Sequence, residues 1–124
     1  MTKVRGVRGA TTAVDLSAEA IEDATLDLVS ELLSANVIDA DDIAAVTFTT
    51  SPDLNADFPA RSARENVPGW EHVPLINTHE MSVPHGQKRC IRVLVLWNTD
   101  KSQKEIKHLY LREAHNLRQR AKPN

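Results

Sequence analysis

One unbroken apolar run, CIRVLVLW at residues 90–97, constrains the fold of this chain more than any other segment. Its composition predicts a β-strand, and apolar side chains at both alternating positions predict that both faces of the strand are buried. Arg92 interrupts the run. A guanidinium keeps its proton inside a protein and is very costly to bury unpaired, so this strand requires either a carboxylate partner or an anionic ligand.

A second arginine, Arg8, lies in another predicted strand, at residues 3–13. Because strand side chains alternate between faces, Arg5 points to the opposite side from Arg8 and is assigned a structural role. Two strand arginines in a small chain predict a pocket for a small, multiply charged anion.

The composition predicts one soluble domain over residues 1–124, ending in a polar, flexible tail at residues 119–124; 41% of the residues are hydrophobic and 26% are charged. No apolar stretch approaches membrane-spanning length and nothing at the N terminus resembles a targeting peptide. A cytoplasmic location without a membrane partner is therefore expected. The single cysteine, Cys90, fits a reducing compartment. The five histidines are scattered, and no metal site is predicted.

Charge is distributed unevenly along the chain. Residues 1–84 hold 14 acids and 5 bases, whereas residues 85–124 hold 3 acids and 10 bases. A basic C-terminal third could bind nucleic acid. However, these bases are spread over a strand, a helical turn and the tail, and few aromatic residues are present to stack on nucleobases. No nucleic-acid partner is therefore expected.

The periodicity predicts an α+β fold, with a mixed sheet of about five strands and one long helix packed on one face. Ser17 is the expected N-cap of a helix over residues 18–35, and Asn36 is expected to close it. A short helical turn is predicted near residues 59–65. The remaining strands are placed at residues 43–50, 70–76, 88–98 and 108–112, with a loop over residues 77–86. A sheet with one uncovered face favours self-association into a closed, symmetric oligomer.

Six short segments occur in an order that is specific when they are taken together. They are VRGVRGATT at residues 4–12, SPDLNADFPA at 51–60, GWEHVP at 69–74, EM at 80–81, CIRV at 90–93 and HLYL at 108–111. This pattern, spread over residues 4–118, resembles the monofunctional chorismate mutases of the trimeric α/β type. The resemblance implies a homotrimer whose sheets assemble into a pseudo-barrel, with active sites at the subunit interfaces.

The activity implied by the resemblance is an isomerase reaction, the Claisen rearrangement of chorismate to prephenate in phenylalanine and tyrosine biosynthesis. This intramolecular reaction needs no cofactor, metal or nucleophile, which agrees with the lack of motifs for them in the sequence. The alternative is a non-catalytic oligomeric module that binds a small dicarboxylate metabolite.

The resemblance also implies residue roles. Arg92 would meet the ether oxygen and a substrate carboxylate, Arg8 and Tyr110 would bind carboxylate, and Glu80 would accept a hydrogen bond from the ring hydroxyl. Cys90 shares the strand face of Arg92 and is expected to line the pocket without reacting. The implied substrate-binding residues are Phe58, Ala60, Arg61, Arg64, Leu75, Ile76, Asn77, Cys90, Leu117 and Arg118.

The sequence departs from the family pattern at a few positions. Asn77 stands where some relatives have a small cysteine, so whether residue 77 touches the substrate is left open.

The last two implied residues, Leu117 and Arg118, belong to a C-terminal segment expected to fold over the entrance. Such a segment affects substrate capture more than chemistry.

Overall fold

A computed structural model describes residues 1–117 and shows a five-stranded mixed sheet. The strands lie in the order β3-β2-β4-β1-β5; β4 is antiparallel to β1 and β2, whereas β3 is parallel to β2 and β5 is parallel to β1. The elements are β1 Lys3–Thr12, α1 Ala18–Asn36, β2 Ile43–Thr50, α2 Pro59–Asn66, β3 Leu75–His79, β4 Cys90–Thr99 and β5 Leu109–Tyr110. The predicted α+β class, the number of strands and the one long helix are confirmed.

Helix α1 begins as the sequence predicts, because Ser17 Oγ accepts a hydrogen bond from the Ala20 N–H at 3.1 Å. Its end differs from the prediction. Asn36 is still helical and buried, and Val37 is the residue that turns left-handed, with φ 55°. The Asn36 carboxamide is engaged elsewhere, since it donates to Lys107 O and accepts from Lys107 N–H, both at 2.9 Å. The chain therefore uses Asn36 to join α1 to the segment before β5.

The two faces of the sheet differ in what covers them. On β4, Ile91, Val93, Val95 and Trp97 are buried in the core that includes α1. The alternate residues are exposed: Leu94 by 40% and Leu96 by 36%. The prediction that both faces of β4 are buried is thus wrong for the isolated chain. The apolar run shows that both faces of β4 are hydrophobic. Within residues 1–117, however, other parts of the chain pack on only one of these faces.

We call the uncovered side the open face. The strand register aligns Arg8 with Leu94 and Gly6 with Leu96, and Thr47 lies between Leu94 and Ile76. Exposed apolar side chains on this face include Val4, Ile76, Leu94 and Leu96. Several large apolar side chains exposed on one sheet face are characteristic of an interaction site.

Two strands, β3 and β5, differ most from the prediction. Residues 70–76 are not one strand, because Trp70–His72 forms a 3-10 turn after Gly69 (φ 85°) and β3 extends from Leu75 to His79. The expected loop is correspondingly shorter at its N-terminal end. The last strand contains only Leu109 and Tyr110, because Arg112 adopts a left-handed φ of 52° that ends the extended conformation.

Candidate active site

Arg92 and Tyr110 lie in one row across the open face. The register pairs Arg92 with Ala10 on β1, and Ala10 pairs in turn with Tyr110 on β5. Neighbouring strands are about 4.8 Å apart, so the backbones at Arg92 and Tyr110 are separated by about 10 Å. Arg8 lies two residues from Ala10 on β1 and therefore shares this face. The sheet thus presents Arg92, Tyr110 and Arg8 on the same side.

Glu80 is the carboxylate partner of Arg92. Arg92 Nε lies 3.5 Å from Glu80 Oε2, which also accepts a hydrogen bond from Thr49 Oγ1 at 3.0 Å. The backbone N–H of Glu80 donates to Thr50 O at 2.7 Å and fixes the carboxylate at the end of β3. The side chains of Arg92 and Glu80 are 44% and 36% exposed. The pair therefore faces solvent and is not locked inside the core.

A cavity of about 580 Å³ lies in front of this pair, lined in part by Thr49, Glu80, Cys90 and Arg92. Burial raises the pKa of the Cys90 thiol, and the opposing effect of the nearby Arg92 charge is smaller. The thiol is therefore protonated at neutral pH, which lowers its nucleophilicity.

The first residues of β4 are held by the Ser-Pro-Asp turn. Cys90 N–H donates to Ser51 Oγ at 2.8 Å, Ser51 Oγ donates to Asp53 Oδ1, and Arg89 N–H donates to Asp53 Oδ2 at 2.9 Å. Burial disfavours the charged form of Asp53, but the hydrogen bonds from Ser51 Oγ and from the Arg89 N–H hold its pKa below the ordinary value. The sequence marked this segment only as a turn. Its structural role is to fix the strand that carries Arg92.

The predicted pocket-wall residues lie elsewhere, beside α2 and the β3 edge of the sheet. Phe58, Ala60, Arg61, Arg64, Leu75 and Asn77 line a separate cavity of about 590 Å³. Arg61 is held here by Glu65 at 3.2 Å and by Asp57 at 3.9 Å. Ile76 is on the open face instead and is 61% exposed.

Other predicted residues lie in a third place or outside the described part of the chain. Tyr110 lines a small cavity of about 340 Å³ with His108 and His115. Leu117 is half-buried near the C-terminal end of the described chain. Arg118 lies outside the described residues. One chain therefore brings Arg92, Glu80 and Cys90 together and leaves Tyr110 in a separate cavity. A further cavity holds the α2 group, by which we mean Phe58, Ala60, Arg61, Arg64, Leu75 and Asn77.

Asn77 has a structural role that the sequence did not reveal. Its Oδ1 accepts a hydrogen bond at 2.9 Å from the N–H of Ala60, in the first turn of α2. The N-cap residue of α2, Phe58, makes no side-chain capping hydrogen bond. Asn77 thus supplies from β3 an acceptor that a helix N terminus needs. The same carboxamide also has N–H donors, so a substrate contact stays a prediction.

We expect Asn77→Ala to lower the stability by about 1 kcal/mol, the usual cost of losing a helix cap, and the unfolding midpoint by about 4 °C. Asn77→Asp is the matched variant. It retains an acceptor and adds a charge favoured at a helix N terminus, so its midpoint should be at least that of the parent protein. Thermal unfolding followed by circular dichroism measures both, and equal losses in the two variants would contradict the capping role.

Two general features of the described chain complete the description of the site. Over residues 1–117, no group of three or more His, Cys, Asp or Glu side chains could hold a metal ion. None of the helices in this range has the length and apolar character needed to cross a membrane.

Arg8, Arg92 and Tyr110 thus share one face of an α+β sheet, and Glu80 pairs with Arg92 beside it. The chorismate mutase type I family matches residues 4–121. The chain belongs to this family.

Individual relatives agree with this membership. The chain is 47% identical to chorismate mutase AroH of Thermus thermophilus over 116 residues, 93% of each chain. It is 38% identical to chorismate mutase AroH of Bacillus subtilis over 115 residues, 93% of this chain and 90% of the relative. It also matches the structure of a chorismate mutase from Clostridium thermocellum with a TM-score of 0.85 and 41% identity, covering 90% of this chain and 97% of that one.

Proposed function

We propose that the protein is a cytoplasmic isomerase that converts chorismate to prephenate for phenylalanine and tyrosine biosynthesis. The observation that carries the proposal is the Arg92 guanidinium, which is oriented by Glu80 and exposed to a cavity of about 580 Å³. The family membership and the names of the relatives supply the substrate.

The reaction determines what the site must do. A Claisen rearrangement breaks one C–O bond and forms one C–C bond within a single molecule, and negative charge accumulates on the ether oxygen in the transition state. An acceleration of about a million-fold corresponds to about 8 kcal/mol. One donor aimed at a developing oxyanion contributes about 3–4 kcal/mol. The remainder must come from holding the substrate in a compact, reactive conformer.

The contact between Arg92 and Glu80 suggests how Arg92 stabilises the charge on the ether oxygen. Its Nε faces Glu80, and the terminal N–H groups of the guanidinium can then point to the ether oxygen and a carboxylate. Glu80 has two functions in this proposal: it orients Arg92 and accepts a hydrogen bond from the substrate hydroxyl. Arg8 and Tyr110 bind the carboxylates from the neighbouring strands.

The separation of the predicted residues supports a homotrimer with active sites between subunits. Arg92 and Glu80 lie at the open face, whereas Phe58, Ala60 and Arg61 surround the β3 edge and α2. The exposed apolar residues of the open face supply a surface for a second subunit. In this proposal, the α2 group of one subunit completes the cavity of its neighbour, and Arg61 leaves Glu65 to meet the substrate.

Mixed oligomers test this arrangement. Arg92→Ala and Arg61→Glu should each be nearly inactive alone. If each site takes Arg92 from one subunit and Arg61 from the next, random mixing restores about a quarter of the sites. Activity is measured after the two variants are unfolded and refolded together, with each variant refolded alone as the control. An absence of recovery would show that both residues act within one subunit.

The activity itself is tested by incubating the purified protein with chorismate in the presence of EDTA. The proposal predicts loss of chorismate absorbance and appearance of prephenate in the NMR spectrum. Binding of chorismate without conversion would instead identify a non-catalytic module.

A further inference from the structure

Two arginines, Arg89 and Arg112, contact the same short piece of chain from two directions. Arg89 Nη1 donates to Val14 O, and Arg112 Nη1 donates to Thr12 O, each at 3.0 Å. Thr12 is the last residue of β1, and Val14 lies two residues after it. We call these two residues the arginine clasp.

The second nitrogen of each guanidinium contacts carboxylates. Arg89 Nη2 lies 3.2 Å from Glu113 Oε2. Arg112 Nη2 lies 3.4 Å from Asp23 Oδ2 and 3.5 Å from Asp27 Oδ2, both on α1. The clasp thus joins the end of β1, helix α1, the residue before β4 and the segment after β5.

Both arginines hold an unfavourable backbone conformation. Each has φ 52°, in the left-handed region that residues with a Cβ seldom adopt. Such a conformation persists only where the surroundings determine it, and it is concentrated near functional sites. The side-chain contacts of the clasp, and the Arg89 N–H bond to Asp53, provide those surroundings here.

The location of the clasp connects it to the site. Arg89 immediately precedes β4 and lines the same cavity as Arg92. Arg112 follows β5, a strand of two residues that carries Tyr110. So short a strand has few ladder hydrogen bonds of its own. It is anchored downstream, where Ala114 is completely buried and Glu113 N–H donates to Thr12 Oγ1 at 3.3 Å.

We propose that Arg89 and Arg112 are positioning residues, which fix the distance between Tyr110 and Arg92 and hold Glu113, after β5, against Arg89 at the substrate cavity. This inference rests on the proposed chorismate mutase function for its kinetic readout. The carboxylate partners of the clasp are exposed, so its ion pairs contribute little to global stability. The clasp should therefore act on substrate capture, and much less on the unfolding midpoint.

The test uses Arg89→Gly and Arg112→Gly, because glycine adopts a φ of 52° without strain and each substitution removes only the side chain. Each variant should raise KM about tenfold, the effect expected when a charged hydrogen bond is lost, while kcat changes less than about twofold. Arg5→Ala is the matched control. Its guanidinium also donates to a backbone carbonyl, Lys101 O at 3.0 Å, but lies at the other end of β1, so KM should not change.

Amide hydrogen exchange tests the clasp independently of activity. The N–H groups of Leu111 and Ala114, bonded to Ala10 O and Leu111 O, should exchange faster in both glycine variants and at the parental rate in Arg5→Ala. Unchanged exchange, or a KM that changes only when the unfolding midpoint falls, would overturn the proposal. If the parent protein leaves chorismate unconverted, the proposed function fails, and the exchange rates alone still decide whether the clasp exists.

Discussion

Arg92→Lys is expected to lower kcat by at least about a hundredfold, the usual result of losing one donor at a developing oxyanion. Lysine retains the positive charge. However, its ammonium is a single point on a flexible stem and cannot contact Glu80 and the substrate at once with fixed geometry, as the planar guanidinium can. The loss should appear mainly in kcat, because the interaction strengthens only as charge reaches the ether oxygen. The initial rate of chorismate disappearance measures it over a range of substrate concentrations.

Arg5→Lys is the control for this experiment. Arg5 lies on the opposite side of β1 and bonds to a backbone carbonyl, so its replacement should leave kcat unchanged. A near-normal kcat for Arg92→Lys would refute the role assigned to the guanidinium.

Glu80→Ala is expected to lower kcat/KM by about a hundredfold or more. Two partners lose their acceptor at once, since Arg92 Nε and Thr49 Oγ1 share Glu80 Oε2. Removing one member of such a pair costs about 2–5 kcal/mol where the charges are desolvated, as they become when substrate closes the cavity. The measurement is again the steady-state rate of chorismate loss.

Glu80→Gln separates the two functions of this residue. Its carbonyl oxygen can still accept from Thr49 or from the substrate hydroxyl, but the charge that orients Arg92 is gone. We expect activity between that of the parent protein and that of Glu80→Ala. Glu71→Ala removes an exposed glutamate that pairs only with the neighbouring His72 among the described residues, and it should have no effect. Equal activity of Glu80→Ala and Glu71→Ala would show that Glu80 has no role in the reaction.

Much of the fold could be predicted because local sequence determines it. The stripe from Ile21 to Leu32 has helical spacing, Ser17 is a good cap, and both features lie within one segment. The burial of β4 could not be predicted in the same way. An apolar run shows that both faces of the strand are hydrophobic, but it does not show which face the rest of the chain covers, and Leu94 and Leu96 are exposed.

The site was predictable only in part. Arg92 stands out because a charge in an apolar strand requires a partner, and Glu80 supplies that partner in the structure. The capping role of Asn77 depends on a contact between residues 17 positions apart in the chain. The left-handed backbones of Arg89 and Arg112 gave no signal, since neither position has the glycine or asparagine that usually marks this conformation.

Two bicyclic dicarboxylate inhibitors show whether Arg92 acts on the ether oxygen. One carries an ether bridge that mimics the transition state, and the other has a methylene group in place of that oxygen. We expect the parent protein to bind the ether compound about a hundredfold more tightly, and Arg92→Lys to lose most of this preference. If Arg92→Lys retained the full preference for the ether compound, Arg92 would not be the group that meets the ether oxygen.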